Sequence, residues 1–173
     1  MMKFFGILFC VFCINSAFSQ IELSPPNFKI PGRNLQNAIF VDFDEAHYKV
    51  TYDISRSIVT AETRINFFQA QAGHPLFDLL ADVQEVKIDG NLTSVSTVSI
   101  GKNVSSMRMI EKSLSVGHHE MIIKNEINYL VTFNPGNKSV RSAFWMSDLG
   151  DRKYLERYLP TNLEFDQYKI YEF

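Results

Sequence analysis

The densest group of potential ligands in the chain is Gly117-His118-His119-Glu120. A zincin-type site needs two His four residues apart, so that both imidazoles share one helical face, with a Glu between them acting as base. Here the two His are adjacent, and adjacent side chains on a strand point to opposite faces. The group is therefore expected to serve a turn and a strand rather than a metal. No H-E-x-x-H occurs, and His47 and His74 stand far from each other in the sequence. A strained G-x-S-x-G elbow for a Ser nucleophile is absent, as is any Gly pattern that would cradle a phosphate. Glu156, Glu164, Asp166 and Glu172 crowd the C-terminal end. A glycosidase would need two carboxylates facing each other across a cleft. Interspersed with Arg152, Lys153, Arg157 and Lys169, these acids read instead as a solvated face. Phe144-Trp145-Met146, close to Tyr154 and Tyr158, could line a groove, but core packing is the expected use of such a cluster. These patterns assign no catalytic residue and no metal ligand.

The elements that would position these residues begin after an export segment. Lys3 precedes an unbroken apolar run from Phe4 to Ile14, and small residues lie at the -3 and -1 positions of a cut after Ser19. This is the pattern of a secretory signal peptide over residues 1–19. Eleven apolar residues extend only about 16 Å as a helix, against roughly 30 Å of hydrocarbon, so a membrane span is not expected. Phe9 and Phe12 precede the two Cys, where a lipid-anchored protein needs a small residue. Removing residues 1–19 from the 173 leaves 154, takes Cys10 and Cys13 with it, and moves the formal charge from -2 to -3 as Lys3 is lost. The mature chain then has no disulfide, no Cys nucleophile and no Cys-bound zinc. A chain of that length buries a core without covalent staples, and a periplasmic or extracellular location is expected.

Residues 20–46, with Pro25-Pro26 and Pro31-Gly32, read as an extended leader. From there the period is two. Tyr48, Val50, Tyr52 and Ile54 alternate with polar residues, and Val59, Ala61, Thr63, Ile65 and Phe67 do the same after the Ser55-Arg56-Ser57 turn, which predicts a hairpin. Further short strands are expected at Leu76–Leu80, Val83–Ile88, Leu92–Ile100, Met107–Ile110, Leu114–Val116, Glu120–Lys124 and Ile127–Phe133. Asp89-Gly90-Asn91 is a strong turn signal, since Gly accepts a positive φ without steric cost. Only Asp151–Leu159 offers a short turn of helix. Eight or nine strands at this spacing predict a mostly β fold, an antiparallel β-sandwich or bent sheet, over residues 47–173. The sequons at Asn91, Asn103 and Asn137 would matter only in a eukaryotic host and read as turn chemistry.

Composition narrows the partners. With 46% hydrophobic and 21% charged residues the chain is an ordinary globular domain. Its balanced charge and a pI near 6.1 give no clustered cation with which to displace counterions from nucleic acid.

Four segments, taken in order, carry a resemblance. They are Tyr48–Ile54, Ala61–Phe67, Val86-Lys87-Ile88-Asp89-Gly90-Asn91, and Leu114-Ser115-Val116-Gly117-His118-His119-Glu120-Met121-Ile122-Ile123. Residues 47–170 thereby resemble the N-terminal β domain of the zinc aminopeptidases related to aminopeptidase N. Tyr158-Leu159-Pro160-Thr161-Asn162-Leu163-Glu164-Phe165-Asp166-Gln167 resembles that family's closing segment, F-P-C-x-D-E/Q-P followed by a basic residue. Pro160, Asp166, Gln167 and Lys169 are the counterparts. The Cys is missing, Tyr168 replaces the second Pro, and the spacing is longer, which suggests a divergent branch.

The resemblance implies a substrate contact at Asp151, the residue that alignment on Pro160 brings nearest to the family's amino-group anchor. It places zinc and catalysis in a separate downstream domain, whose G-x-M-E-N and H-E-x-x-H motifs do not occur in this chain. The chain is then expected to be noncatalytic, to hold no cofactor, to pack on a catalytic domain and to help shape a peptide channel. Lys169–Phe173 reads as a strand just beginning, so the β domain is expected to be cut short at its C-terminal end. The alternative is an independent periplasmic or surface binding module of the same sandwich type.

Overall fold

A computed structural model describes residues 28–29, 37–98, 106–127, 131–142, 155–162 and 169–172. Its strands run in chain order β1 (Phe28–Lys29), β2 (Asn37–Phe40), β3 (Asp42–Asp53), β4 (Ile58–Gln69), β5 (His74–Asp78), β6 (Val83–Ile88), β7 (Asn91–Thr93), β8 (Val95–Thr97), β9 (Met107–Ile110), β10 (Gly117–Glu126), β11 (Val131–Asn134), β12 (Ser139–Ser142) and β13 (Lys169–Glu172). A six-stranded sheet has the order β13-β3-β4-β10-β6-β7 and a five-stranded sheet the order β1-β2-β5-β9-β8, with β11 and β12 as a separate hairpin. Pairing is antiparallel except for β13 on β3 and β2 on β5. The mostly β fold expected from the alternation is the one observed.

The period-two pattern explains the large sheet. In β4, Val59, Ala61, Thr63, Ile65, Phe67 and Gln69 are buried while Glu62 and Arg64 are exposed. The hairpin closes where Asp53 collects the Ser55 hydroxyl at 2.6 Å and the Arg56 backbone N–H at 3.0 Å, with Ser57 at φ 55°. The Ser55 hydroxyl, together with Arg56, holds the Asp53 carboxyl well below the usual carboxylate range. Asp89 (φ 49°) and Gly90 (φ 76°) form the two-residue turn between β6 and β7, as the Asp-Gly pair predicts.

Boundaries differ from the sequence expectation at several points: β2 lies within residues 20–46, β5 begins at His74 and ends at Asp78, β11 starts at Val131, and β12 has no counterpart among the expected strands. β3 reaches back to Asp42, into the segment read as leader, because Phe43 and Ala46 continue its inward phase across a bulge at Asp44. The run Leu92–Ile100 divides at Ser94 into β7 on one sheet and β8 on the other, so one stretch of chain edges both. Leu114 joins no strand but bridges Gly73, while β10 extends from Gly117 to Glu126.

One core lies between the sheets. Phe43, Tyr48, Ile65, Phe67, Ile88, Met121 and Ile123 of the large sheet meet Phe77 and Ile110 of the small one, together with Leu155, Tyr158 and Leu159. Each fully buried side chain of this size stabilises the fold by about 1.5–3 kcal/mol relative to exposure. A second cluster of Ala38, Leu76, Val98 and Met109 packs on the other face of the small sheet, which is why β5 is buried along its whole length.

Candidate functional site

The segment 155–162 is set into the core, and polar groups from both sheets hold it there. It makes one tight turn, in which the Leu159 N–H donates to the Leu155 carbonyl at 2.9 Å. From the large sheet, the Tyr48 hydroxyl donates to the Pro160 carbonyl at 2.8 Å and Asn125 Nδ2 donates to the Tyr158 carbonyl at 2.8 Å. From the small-sheet side, Asp78 and Thr161 exchange backbone hydrogen bonds of 2.8 and 3.0 Å, and the Leu80 N–H donates to the Glu156 carbonyl. A non-repetitive segment enters an apolar core only when its carbonyls find such donors. Tyr48→Phe removes one donor at constant shape and is expected to destabilise the protein by about 1–2 kcal/mol in urea unfolding. No measurable loss would mean that the Pro160 carbonyl does not depend on it.

These anchors were not picked out from the sequence, although a trace of them is visible there. Thr63, Gln69 and Asn125 are polar residues in the inward phase of β4 and β10, and each is fully buried. Gln69 Nε2 donates to the carbonyls of Gly73 and Leu114 at 3.2 and 3.1 Å, tying down the bridge between them.

The Gly117–Glu120 group lies at the start of β10, and its two His diverge as expected. His118 is largely exposed, with Nδ1 at 3.2 Å from the bulged Asp44 and its ring against Phe68. His119 turns inward against Phe67, with Nδ1 at 2.8 Å from Asp89 and Nε2 at 3.0 Å from the Ser115 carbonyl. Asp89 Oδ1 also accepts the Glu120 backbone N–H at 3.0 Å. Burial pushes the Asp89 carboxyl up, but the Glu120 N–H and His119 outweigh it and hold the group below its ordinary value. Among the described residues no group of three or more His, Cys, Asp or Glu is placed to hold a metal ion.

The outer face of the large sheet carries a concavity of about 490 Å³ lined by Glu45, His47, Lys49, Glu62, Arg64, Asn66 and Glu120. Strand register makes it: Glu45, Asn66 and Glu120 stand side by side across β3, β4 and β10, as do His47 and Arg64 one row on. Asn66 Nδ2 donates to Glu45 at 2.6 Å, His47 Nε2 is 3.5 Å from the same carboxylate, and Arg64 is 3.4 Å from Glu120. Beyond it Lys124 sits 3.3 Å from Glu85 and 3.6 Å from Glu62, and Lys87 sits 3.2 Å from Glu85. Lys87 and then Lys124 hold the Glu85 carboxyl down, and Glu85 in turn raises the Lys124 ammonium. Exposed pairs of this kind add about 0–1 kcal/mol each. The described lining offers carboxylates, an imidazole, an ammonium, a guanidinium and an amide, with no hydroxyl or thiol among them.

Other residues singled out in the sequence divide between core, surface and undescribed chain. Tyr158 is core, as its aromatic neighbourhood predicts, while Phe144-Trp145-Met146 and Tyr154 lie outside the described residues. Asp151, Glu164, Asp166 and Gln167 lie outside them too, as do residues 1–19 and the Asn103 sequon. His74 is buried with Nδ1 at 3.0 Å from the Ile110 carbonyl, far from any role with His47. Asn91 Nδ2 donates to the Asp89 carbonyl and Asn137 accepts the Ser139 hydroxyl, which is the turn chemistry read for those two sequons. No helix among the described residues is long and apolar enough to cross a membrane.

No protein-family model matches the sequence, and no curated protein is significantly similar to it. Among solved structures, the yeast LTA4 hydrolase in complex with bestatin is 15% identical over 52% of this chain and 15% of its own, with a TM-score of 0.41. An M1 zinc metallopeptidase from Deinococcus radiodurans is 8% identical over 50% of this chain and 20% of its own, with a TM-score of 0.37. About half of this chain is matched by each of these structures. The matched part spans only 15% to 20% of those two chains.

Proposed function

We propose that the chain is the exported, noncatalytic N-terminal β domain of a zinc-aminopeptidase-like protein, which packs on a catalytic domain and helps wall a peptide channel. The observation that carries this reading is the placement of the four resembling segments. Tyr48–Ile54 runs along β3 into its turn and Ala61–Phe67 lies in β4; Val86–Asn91 runs through β6 and its Asp89-Gly90 turn, and the fourth segment enters β10. Four sequence fragments thus become neighbours in one sheet, with the Pro160 segment closing the core behind them. Zinc belongs to the catalytic domain in this reading, and Asp151 is the residue nearest the substrate's amino group. The charged concavity on the outer face is the surface this chain would offer to another polypeptide.

Two measurements test the reading together. Reading the coding DNA beyond Phe173, or the adjoining frame, is expected to reveal an H-E-x-x-H domain. The purified chain is expected to release no amino acids from aminoacyl amides in a chelator-sensitive way. Chelator-sensitive release by this chain alone would overturn the noncatalytic assignment, and an unrelated neighbouring gene would favour an independent binding module.

A further inference from the structure

We propose that His119 is a proton-operated latch that fastens the loop 111–116 to the turn between β6 and β7. It stands apart from the proposed function and rests on hydrogen-bond accounting at one ring. Nδ1 lies 2.8 Å from Asp89 Oδ2 and Nε2 lies 3.0 Å from the Ser115 carbonyl oxygen, with the side chain 11% exposed. A carboxylate and a carbonyl both accept and neither donates. Asp89 stays a carboxylate to lower pH than usual, because the Glu120 N–H and His119 oppose the effect of its burial. An imidazole with one hydrogen satisfies one of the two acceptors. The imidazolium, with two, satisfies both.

The surroundings decide which contact is given up when a proton leaves. Asp89, from the turn, is the charged group that faces the ring, and Lys112 of the loop lies within electrostatic reach of that carboxylate. β4 contributes the uncharged Phe67 ring, with centroids 5.7 Å apart, and His118, on β10 beside His119, points away toward Asp44. Hydrogen bonds to a carboxylate are the stronger kind, so the remaining hydrogen stays on Nδ1. The Ser115 carbonyl then faces a lone pair. That carbonyl belongs to the stretch between Leu114, which pairs with Gly73 through hydrogen bonds of 2.7 and 3.0 Å, and Val116, an apolar residue 57% exposed. The loop is fastened while the ring carries hydrogen on both nitrogens and loosened when one of them is given up.

The test is amide hydrogen exchange of residues 113–117 in the intact chain at pH 5.5 and pH 8, corrected for intrinsic exchange. Protection is expected to fall about fivefold between the two, the size of one hydrogen bond. In His119→Gln, whose amide does not change its protonation between these pH values, the loop should show the same protection at both. His118→Gln should keep the wild-type response, which separates this ring from its neighbour. Ring nitrogen NMR on the wild-type protein provides a second readout if the Gln variant folds poorly: both nitrogens should carry hydrogen while the loop is protected, and ring and loop should change at one midpoint. Loop protection that ignores pH, a pH response that survives in His119→Gln, or a ring that titrates while the loop stays fixed would each overturn the latch.

Discussion

Asn125→Asp is expected to destabilise the protein by about 3–5 kcal/mol at neutral pH, the range seen when a buried charge is left without its partner. Asn125 has 0% exposure, and its Nδ2 donates to the Tyr158 carbonyl at 2.8 Å. A carboxylate of the same shape cannot donate. It would put two acceptors against each other in an apolar core, and the charge would lose its water without gaining a cation. Protonation restores one donor, so the penalty should shrink as the pH falls toward the carboxyl's raised titration point. Urea unfolding at pH 7 and pH 5 reads both effects. A loss below about 1 kcal/mol at pH 7 would mean that the 155–162 segment is not held by Asn125, and the account of how the core closes would need replacing.

Gly73→Ala is expected to cost about 1–3 kcal/mol, as overpacking a tight site does. Gly73 sits at φ +158°, is itself buried at the end of an otherwise exposed link between β4 and β5, and exchanges hydrogen bonds with Leu114. A Cβ there would meet the Asn37 carbonyl oxygen at 2.8 Å and Ile39 Cγ1 at 2.6 Å. Ile39 could rotate, but the Asn37 carbonyl belongs to β2, whose neighbour Ala38 pairs with His74, so relief requires the small sheet to move. The midpoint of thermal or urea unfolding checks this. An unchanged midpoint would show that β2 shifts freely, which its burial beneath the second apolar cluster argues against.

Much of the large sheet could be read in advance because its residues obey one local rule. In β3 from Tyr48 to Tyr52 and in β4 from Val59 to Phe67 every second side chain is apolar or small, and a half-buried strand needs nothing more to set which face turns inward. The Asp89-Gly90 turn was equally legible, since positive φ at two successive positions selects that dipeptide. The small sheet was harder. β5 is buried on both faces, so it has no alternation to reveal its partners, and its parallel pairing with β2 joins residues 37–40 to a strand some thirty-five positions away. Ser94, where the chain leaves one sheet for the other, has no signature of its own.

The same division holds for the residues of the candidate site. The opposed directions of His118 and His119 followed from adjacency on a strand. Their partners did not, because Asp44 comes from a bulge in β3 and Asp89 from another hairpin. Nor could Tyr48 be known to reach Pro160, 112 positions later.

By itself, then, the sequence determined the β character, the main hairpin, the two-residue turn and the absence from this chain of the motifs for zinc peptidase catalysis. Each is a property of residues close together in the chain, where sterics and period act directly. The tertiary structure alone decided that 155–162 enters the core, that charged rows on β3, β4 and β10 form a concavity, and that His119 lies between two acceptors. Those outcomes depend on strand register and sheet-to-sheet contact, which bring together groups that no local pattern connects.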